Sequence, residues 1–150
     1  MQRTTKSWTW LLALVCLGSS AQLWAAPAEK PFAEKKVVLQ ISDEDASKQT
    51  LVLNVASNLI KFYGPDRVDV EIVAFGPGLR LLFADNSNAG RVDNLAENSG
   101  VRFSACMNTM KKVTQNLGYE PKLDANAGQV QAGVVRILEL VSDGYVLIKP

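Results

Sequence analysis

Two rhythms of hydrophobic and polar positions alternate along the chain. Residues 37–41, Val-Val-Leu-Gln-Ile, form a β-branched run of strand length. Ser42-Asp43-Glu44-Asp45 then offers N-cap side chains and negative charge for a helix start. From there Leu51, Val55 and Leu59 recur at helical spacing, with Val52, Ala56, Ile60 and Tyr63 beside them, until Gly64-Pro65 ends the helix. The pattern predicts a second strand over residues 68–75, alternating through Val-Asp-Val-Glu and then apolar. Gly76-Pro77-Gly78 breaks it, and Leu79 to Ala84 reads as a short apolar helix. After a turn at Asn86–Asn88, Arg91 to Asn98 predicts a polar helix with Val92 and Leu95 facing inward, closed by Gly100. Val101 to Ala105 predicts the third strand, which ends at Cys106. Met107 to Leu117 is helical, with Met110, Val113 and Leu117 on one side and Gly118 at its end. Pro121 to Gly128 reads as a loop with a short strand near Leu123. Gln129 to Val141 predicts the last helix, its inner stripe being Val130, Val134, Leu138 and Val141. Asp143-Gly144 turns into a final strand, Tyr145 to Ile148.

Strands alternating with helices imply βαβ units. The expected fold class is therefore α/β: a single three-layer domain with a mainly parallel sheet and helices on both faces. Ligands and reactive groups of such sheets gather at the carboxyl ends of the strands. Three loops meet that description, Ser42-Asp43, Gly76-Pro77-Gly78 and Cys106-Met107-Asn108, and one shared edge is expected for them.

The N-terminal residues change the picture of where the domain works. Arg3 and Lys6 precede an apolar stretch from Trp8 to Leu17, and small residues follow at Ala21, Ala25, Ala26 and Ala28. That layout predicts a secretory signal peptide over residues 1–25, cleaved after Ala25. The apolar stretch is shorter than the roughly 20 residues a bilayer span takes. Cys16 has Val15 before it, where a lipid-attachment site wants a small residue, so Cys16 is expected to leave with the signal. Residues 26–35 read as a flexible tether, and residues 36–150 as the domain. Removal of Arg3 and Lys6 leaves fourteen basic against fifteen acidic residues, a net charge of −1. No basic stripe suits a phosphate backbone, so no nucleic-acid partner is expected, and no membrane partner after cleavage. A periplasmic product with one domain-sized core follows.

Composition removes several chemistries. The chain has no histidine, so Ser-His-Asp and Cys-His arrangements and histidine metal sites are impossible. Cys-x-x-Cys and the glycine-rich nucleotide cradles are missing too, and no cofactor or metal is expected. What remains is Cys106, the single thiol of the mature chain, at a predicted strand-to-helix junction. Backbone N–H groups and the helix dipole there favour a thiolate. Asn108 and Thr109 add polar contacts in the first turn, whereas Lys111 and Lys112 lie further along. Cys106 is thus a nucleophile or sulfur carrier, or else a small buried hydrophobe at a strand end. Gly76-Pro77-Gly78 either exposes N–H groups to an anion or is a plain tight turn. Asp43, Glu44 and Asp45 read as a helix cap more simply than as an acid pair or metal nest. Leu79, Leu81, Leu82 and Phe83 are extra core or a subunit interface.

These segments together resemble the DsrE/DsrF-like family. The resemblance is carried by Gly76-Pro77-Gly78 after a strand, by Gly100-Val101 leading to Ala105-Cys106-Met107-Asn108-Thr109-Met110-Lys111, and by Ala132-Gly-Val-Val135 followed by Gly144-Tyr-Val-Leu-Ile-Lys-Pro150. It covers residues 36–150. It implies a five-stranded, mainly parallel sheet and assembly as a homo-oligomer, a trimer or hexamer. It also implies that Cys106 carries sulfur as a persulfide between donor and acceptor proteins. Some relatives have a histidine where this chain has Phe75, which removes a base from the comparison. The alternatives in other classes are an oligomeric binding scaffold with a packed cysteine, and a redox-sensing thiol.

Overall fold

A computed structural model describes residues 30–150 of the chain. The signal-peptide reading of residues 1–25 and the first part of the 26–35 segment lie outside the described residues. Five strands form one sheet: β1 (Lys35–Ile41), β2 (Val68–Ala74), β3 (Arg102–Cys106), β4 (Ala127–Val130) and β5 (Val146–Ile148). Between them run α1 (Ala46–Tyr63), a 3-10 helix (Gly76–Leu82), α2 (Ala89–Ser99), α3 (Met107–Leu117) and α4 (Gly133–Ser142). The order across the sheet is β4-β3-β2-β1-β5, and every neighbouring pair is parallel.

That order explains the layers. The steps from β1 to β2, β3 and β4 all move one way across the sheet, and right-handed crossovers put α1, α2 and α3 on one face. The step from β4 back to β5 reverses direction, so α4 lies on the other face. The two cores follow. Val52, Leu53 and Ala56 of α1, Leu79, Leu81 and Leu82 of the 3-10 helix, Val92 and Leu95 of α2 and Met110 of α3 cover Leu39, Val70, Ile72 and Phe103. On the second face Ile137 and Leu140 of α4 pack with Val38, Val73 and Tyr145. The fold is the expected three-layer α/β domain with a five-stranded sheet, here parallel throughout.

Element boundaries differ from the sequence reading where tertiary pairing overrides local pattern. Gln129 and Val130 belong to β4, not to the last helix, because they extend the ladder beside Ala105 and Cys106. The buried stripe of α4 is Gly133, Ile137 and Leu140; Val134, Leu138 and Val141, predicted inward, face out. The third strand runs one residue later than predicted and includes Cys106. Gly76, Pro77 and Gly78 open the 3-10 helix instead of merely preceding a helix at Leu79. Leu51 and Leu117 are exposed, and the strand expected near Leu123 is a single antiparallel bridge to Phe83. Of the segment 26–35, Lys35 already pairs in β1. Lys30 Nζ donates to the Ser99 carbonyl at 2.6 Å, and to those of Val68 and Pro65. These are polar contacts that no periodicity announces.

One glycine couples two strand ends. A Cβ at Gly78 would lie 2.5 Å from the Ile41 carbonyl oxygen and 2.8 Å from Ser42 Cα, both backbone atoms that cannot swing aside. Gly78→Ala is therefore expected to destabilise the protein by about 1–3 kcal/mol or more, as overpacking does. Gly90→Ala in α2, where nothing lies within 4 Å, serves as the control and should be neutral or mildly stabilising. Denaturant midpoints of the two variants measure the difference.

Candidate functional site

In an all-parallel sheet every strand ends at the same edge. Here that edge gathers the ends of β1, β2, β3 and β4. Cys106 closes β3 and is at once the N-cap residue of α3, with φ −73° and ψ 112°. Its register partner Val130 closes β4, and three residues later α4 begins at Gly133. Two helix N-termini therefore converge on one sulfur, that of α3 directly and that of α4 from across the edge.

The electrostatics follow from this geometry. Cys106 is 5% exposed, and burial alone would push its thiol up. The Thr109 hydroxyl and the N–H groups of Gly133, Thr109 and Asn108 outweigh burial and hold the thiol below its ordinary value. No side-chain capping bond closes on α3, so these groups act on the sulfur mainly as oriented dipoles. The Asn108 N–H is shared, since it also donates to the Gln131 carbonyl at 3.1 Å.

Thr109 links this thiol to the glycine turn. Its Oγ1 accepts the Gly76 N–H at 2.9 Å and presents its own proton toward Cys106. Gly76 takes a left-handed φ of 54°, which suits glycine and turns the backbone back over the end of β1. Gly78 then packs on Ile41 and Ser42. The structure thus brings Cys106, Thr109, Gly76, Gly78 and the Ser42 backbone into one continuous cluster. Pro77 is exposed at the start of the 3-10 helix. Asn108 contributes its backbone; its side chain is exposed. Asp43 pairs with Lys48 at 3.4 Å. Asp45 caps α1 by accepting the Ser47 and Lys48 N–H groups at 3.0 Å each, which is the capping role expected of this acidic run. Among the described residues no group of His, Cys, Asp and Glu is placed to hold a metal ion, and no helix is long and apolar enough to cross a membrane.

Beneath the thiol, on the same sheet face, lies a buried polar cluster that periodicity does not reveal. Asp69 and Glu71 of β2 and Arg102 and Ser104 of β3 are all buried. Arg102 meets Asp69 at 3.2 Å and Glu71 at 3.0 Å. Arg136 of α4 grips Glu71 with two hydrogen bonds of 2.8 Å, and Ser104 Oγ donates to the same carboxylate at 2.7 Å. Burial opposes the charge on Glu71, but Arg136 and Ser104 hold its carboxyl below the usual range. Tyr145 donates to Asp69 at 2.6 Å and accepts from Arg102 at 2.6 Å. Burial, then the bond to Asp69, push its phenol up to about 12. Two carboxylates and two guanidinium groups balance to zero charge, which is what permits their burial.

The same edge and sheet can be set beside known proteins. No protein-family model matches the chain, and no curated protein matches it. Solved structures do, among them the protein of unknown function MTH1491 from Methanobacterium thermoautotrophicum. The two share 29% sequence identity and superpose with a TM-score of 0.70, over 78% of this chain and all of MTH1491. The likeness to MTH1491 covers most of the described domain.

Several residues of this neighbourhood were not singled out from the sequence, Gly133, Glu71 and Arg136 among them. Gly133 was hidden because the last helix was expected to start at Gln129. Glu71 and Arg136 were hidden because a charged residue within an apolar pattern reads as surface. A signal did exist: Asp69 and Glu71, and likewise Arg102 and Ser104, are spaced two apart, which puts each pair on one face of its strand, and the register of Glu71 with Arg102 makes it the same face. The second face also leaves apolar side chains uncovered. Val134, Val135, Leu138 and Val141 of α4 and Leu147 of β5 are exposed there, Leu138 by 63%, while Val146 and Ile148 of β5 are exposed on the opposite face.

Proposed function

We propose that this protein carries sulfane sulfur as a persulfide on Cys106 and passes it to a partner thiol, in the manner of the DsrE/DsrF-like family its sequence resembles. The observation that carries this reading is the convergence of the α3 and α4 N-termini, with the Thr109 hydroxyl, on one thiol at the carboxyl edge of a parallel sheet. A thiol held below its ordinary value is present more as the thiolate, which is the nucleophilic form. The Cys106 thiolate attacks the terminal sulfur of a polysulfide; the donor S–S bond breaks, and its electron pair leaves on the shortened polysulfide. A Cys106–S–S⁻ group results. An acceptor thiolate then attacks the outer sulfur and returns Cys106 as thiolate, so the cycle needs no oxidant or reductant. Export to the periplasm and assembly from several copies complete the reading.

Mass spectrometry of the folded protein after exposure to polysulfide or thiosulfate tests it. The expected result is a gain of one sulfur atom on the Cys106 peptide, removed by dithiothreitol and lacking in Cys106→Ser. A Cys106 peptide that stays unmodified overturns the carrier. The second reading, an oligomeric scaffold with a packed thiol, draws on the 5% exposure of Cys106 and the uncovered apolar residues of α4 and β5. It predicts that Cys106→Ser changes stability alone, leaving assembly and partner binding as they were.

A further inference from the structure

Helix α4 is the only described helix on its face of the sheet, and one end of it touches the thiol site. Its first residue, Gly133, lies so near Phe75 that an added Cβ would stand 3.0 Å from the Phe75 Cβ. One turn further on, Arg136 reaches down into the sheet: Nε donates to Glu71 Oε1 and Nη2 to Oε2, both at 2.8 Å. Glu71 cannot yield to that grip. It is 1% exposed and is held from β3 by Arg102 Nε at 3.0 Å and Ser104 Oγ at 2.7 Å. Ser104 stands two residues before Cys106 on the same strand face. Glu71 therefore ties α4 to the strand that bears the thiol.

We propose that the Glu71–Arg136 pair is a strut that fixes the N-terminus of α4 against Cys106, which makes both of them positioning residues for the thiol. The proposal rests on reading Cys106 as a reactive thiol. A two-bond fork is suited to the task, because a guanidinium on a carboxylate sets an angle as well as a distance. The helix contribution to a thiolate falls off within a turn, so a slight tilt of α4 withdraws it. The charged side chains on elements packed against Cys106 are Asp69 and Glu71 on β2, Arg102 on β3, Arg136 and Glu139 on α4, and the exposed Lys111 and Lys112 on α3. Since Arg136 could also act on the thiol simply by its charge, the test must separate charge from position.

Arg136→Lys does so, as it keeps the charge and loses the fork; Arg136 is partly exposed, so the lysine variant is expected to fold. The rate of Cys106 alkylation by iodoacetamide, followed against pH, gives the thiol midpoint. The strut predicts a midpoint raised by about half a unit in Arg136→Lys, or up to about threefold less thiolate at neutral pH. It also predicts faster hydrogen exchange at the Gly133 amide. A wild-type midpoint in Arg136→Lys overturns the proposal, and so does a raised midpoint with unchanged Gly133 exchange. Sulfur loading of the wild type is scored separately. Loading without a shift in the variant sinks the strut alone, while a shift without loading sinks the carrier alone.

Discussion

Replacing Arg102 by methionine is expected to cost about 3–5 kcal/mol of stability, read as a fall in the urea midpoint at neutral pH. Arg102 is buried and neutralises Asp69 at 3.2 Å and Glu71 at 3.0 Å, while its Nη2 donates to the Tyr145 hydroxyl. Glu71 would keep Arg136 and Ser104, but Asp69 would be left with Tyr145 as its sole hydrogen-bond partner in a site with no access to water. Asp69 Oδ1 already lacks a hydrogen-bond partner, so nothing stands by to take over. A domain of this size has only about 5–15 kcal/mol in total, so the variant approaches the limit of folding at 37 °C. The double variant Arg102→Met/Asp69→Asn should recover part of the loss, because it removes the stranded charge. Strictly additive losses, or a change below about 1 kcal/mol for Arg102→Met, would show that the cluster is not coupled in this way.

The second large effect falls on the thiol. Thr109→Val keeps the shape of residue 109 and removes its hydroxyl, which at present accepts the Gly76 N–H at 2.9 Å and donates toward Cys106. Among the groups that lower the thiol, this hydroxyl is the foremost. Its loss leaves burial, which works in the opposite direction, less opposed. The alkylation midpoint of Cys106 is expected to rise by about one unit, up to a tenfold loss of thiolate at neutral pH. Gly76 would lose its acceptor as well, at a cost of about 1–3 kcal/mol. Thr109→Ser should restore both properties. A midpoint that stays put in Thr109→Val would mean that the helix termini alone set the thiol.

The sequence carried the architecture well because its strongest signals were local. Runs such as Val-Val-Leu-Gln-Ile41 and Val-Leu-Ile148, and stops such as Gly64-Pro65, Gly100 and Gly118, depend on near neighbours. Gly100 and Gly118 do end α2 and α3 in the left-handed conformation expected of such stops. Legibility failed where distant pairing decided the outcome. Gln129 and Val130 fit a helical pattern as well as a strand, and only the exposed edge of β3 settles them as β4. The stripe on α4 was mistaken for the same reason: Val134, Leu138 and Val141 look like a core face, yet Arg136 must turn inward to reach Glu71 and the helix rotates with it.

The site divides along the same line. Cys106, Thr109 and the Gly76–Gly78 turn were readable, since strand ends of a parallel sheet share an edge. Their burial was not. At 5% exposed, Cys106 has the burial of the packed-hydrophobe alternative, and the second helix terminus that offsets this burial comes from residue 133, far along the chain. Asp43 illustrates the converse. It belongs to the right loop but spends its charge on Lys48.

The placement of β5 has a consequence for how the molecule is made. The first strand gains its second neighbour only when Val146–Ile148 arrive to lie beside Val37–Leu39. Tyr145, just ahead of them, closes on Asp69, 76 residues earlier. A chain that has emerged only as far as α4 lacks both, so the sheet cannot finish and the charges of β2 cannot be sealed from water until residues 145–148 are free. Completion of the domain thus waits on residues 145–148, and a truncation that removes them would cost far more than the few contacts it deletes.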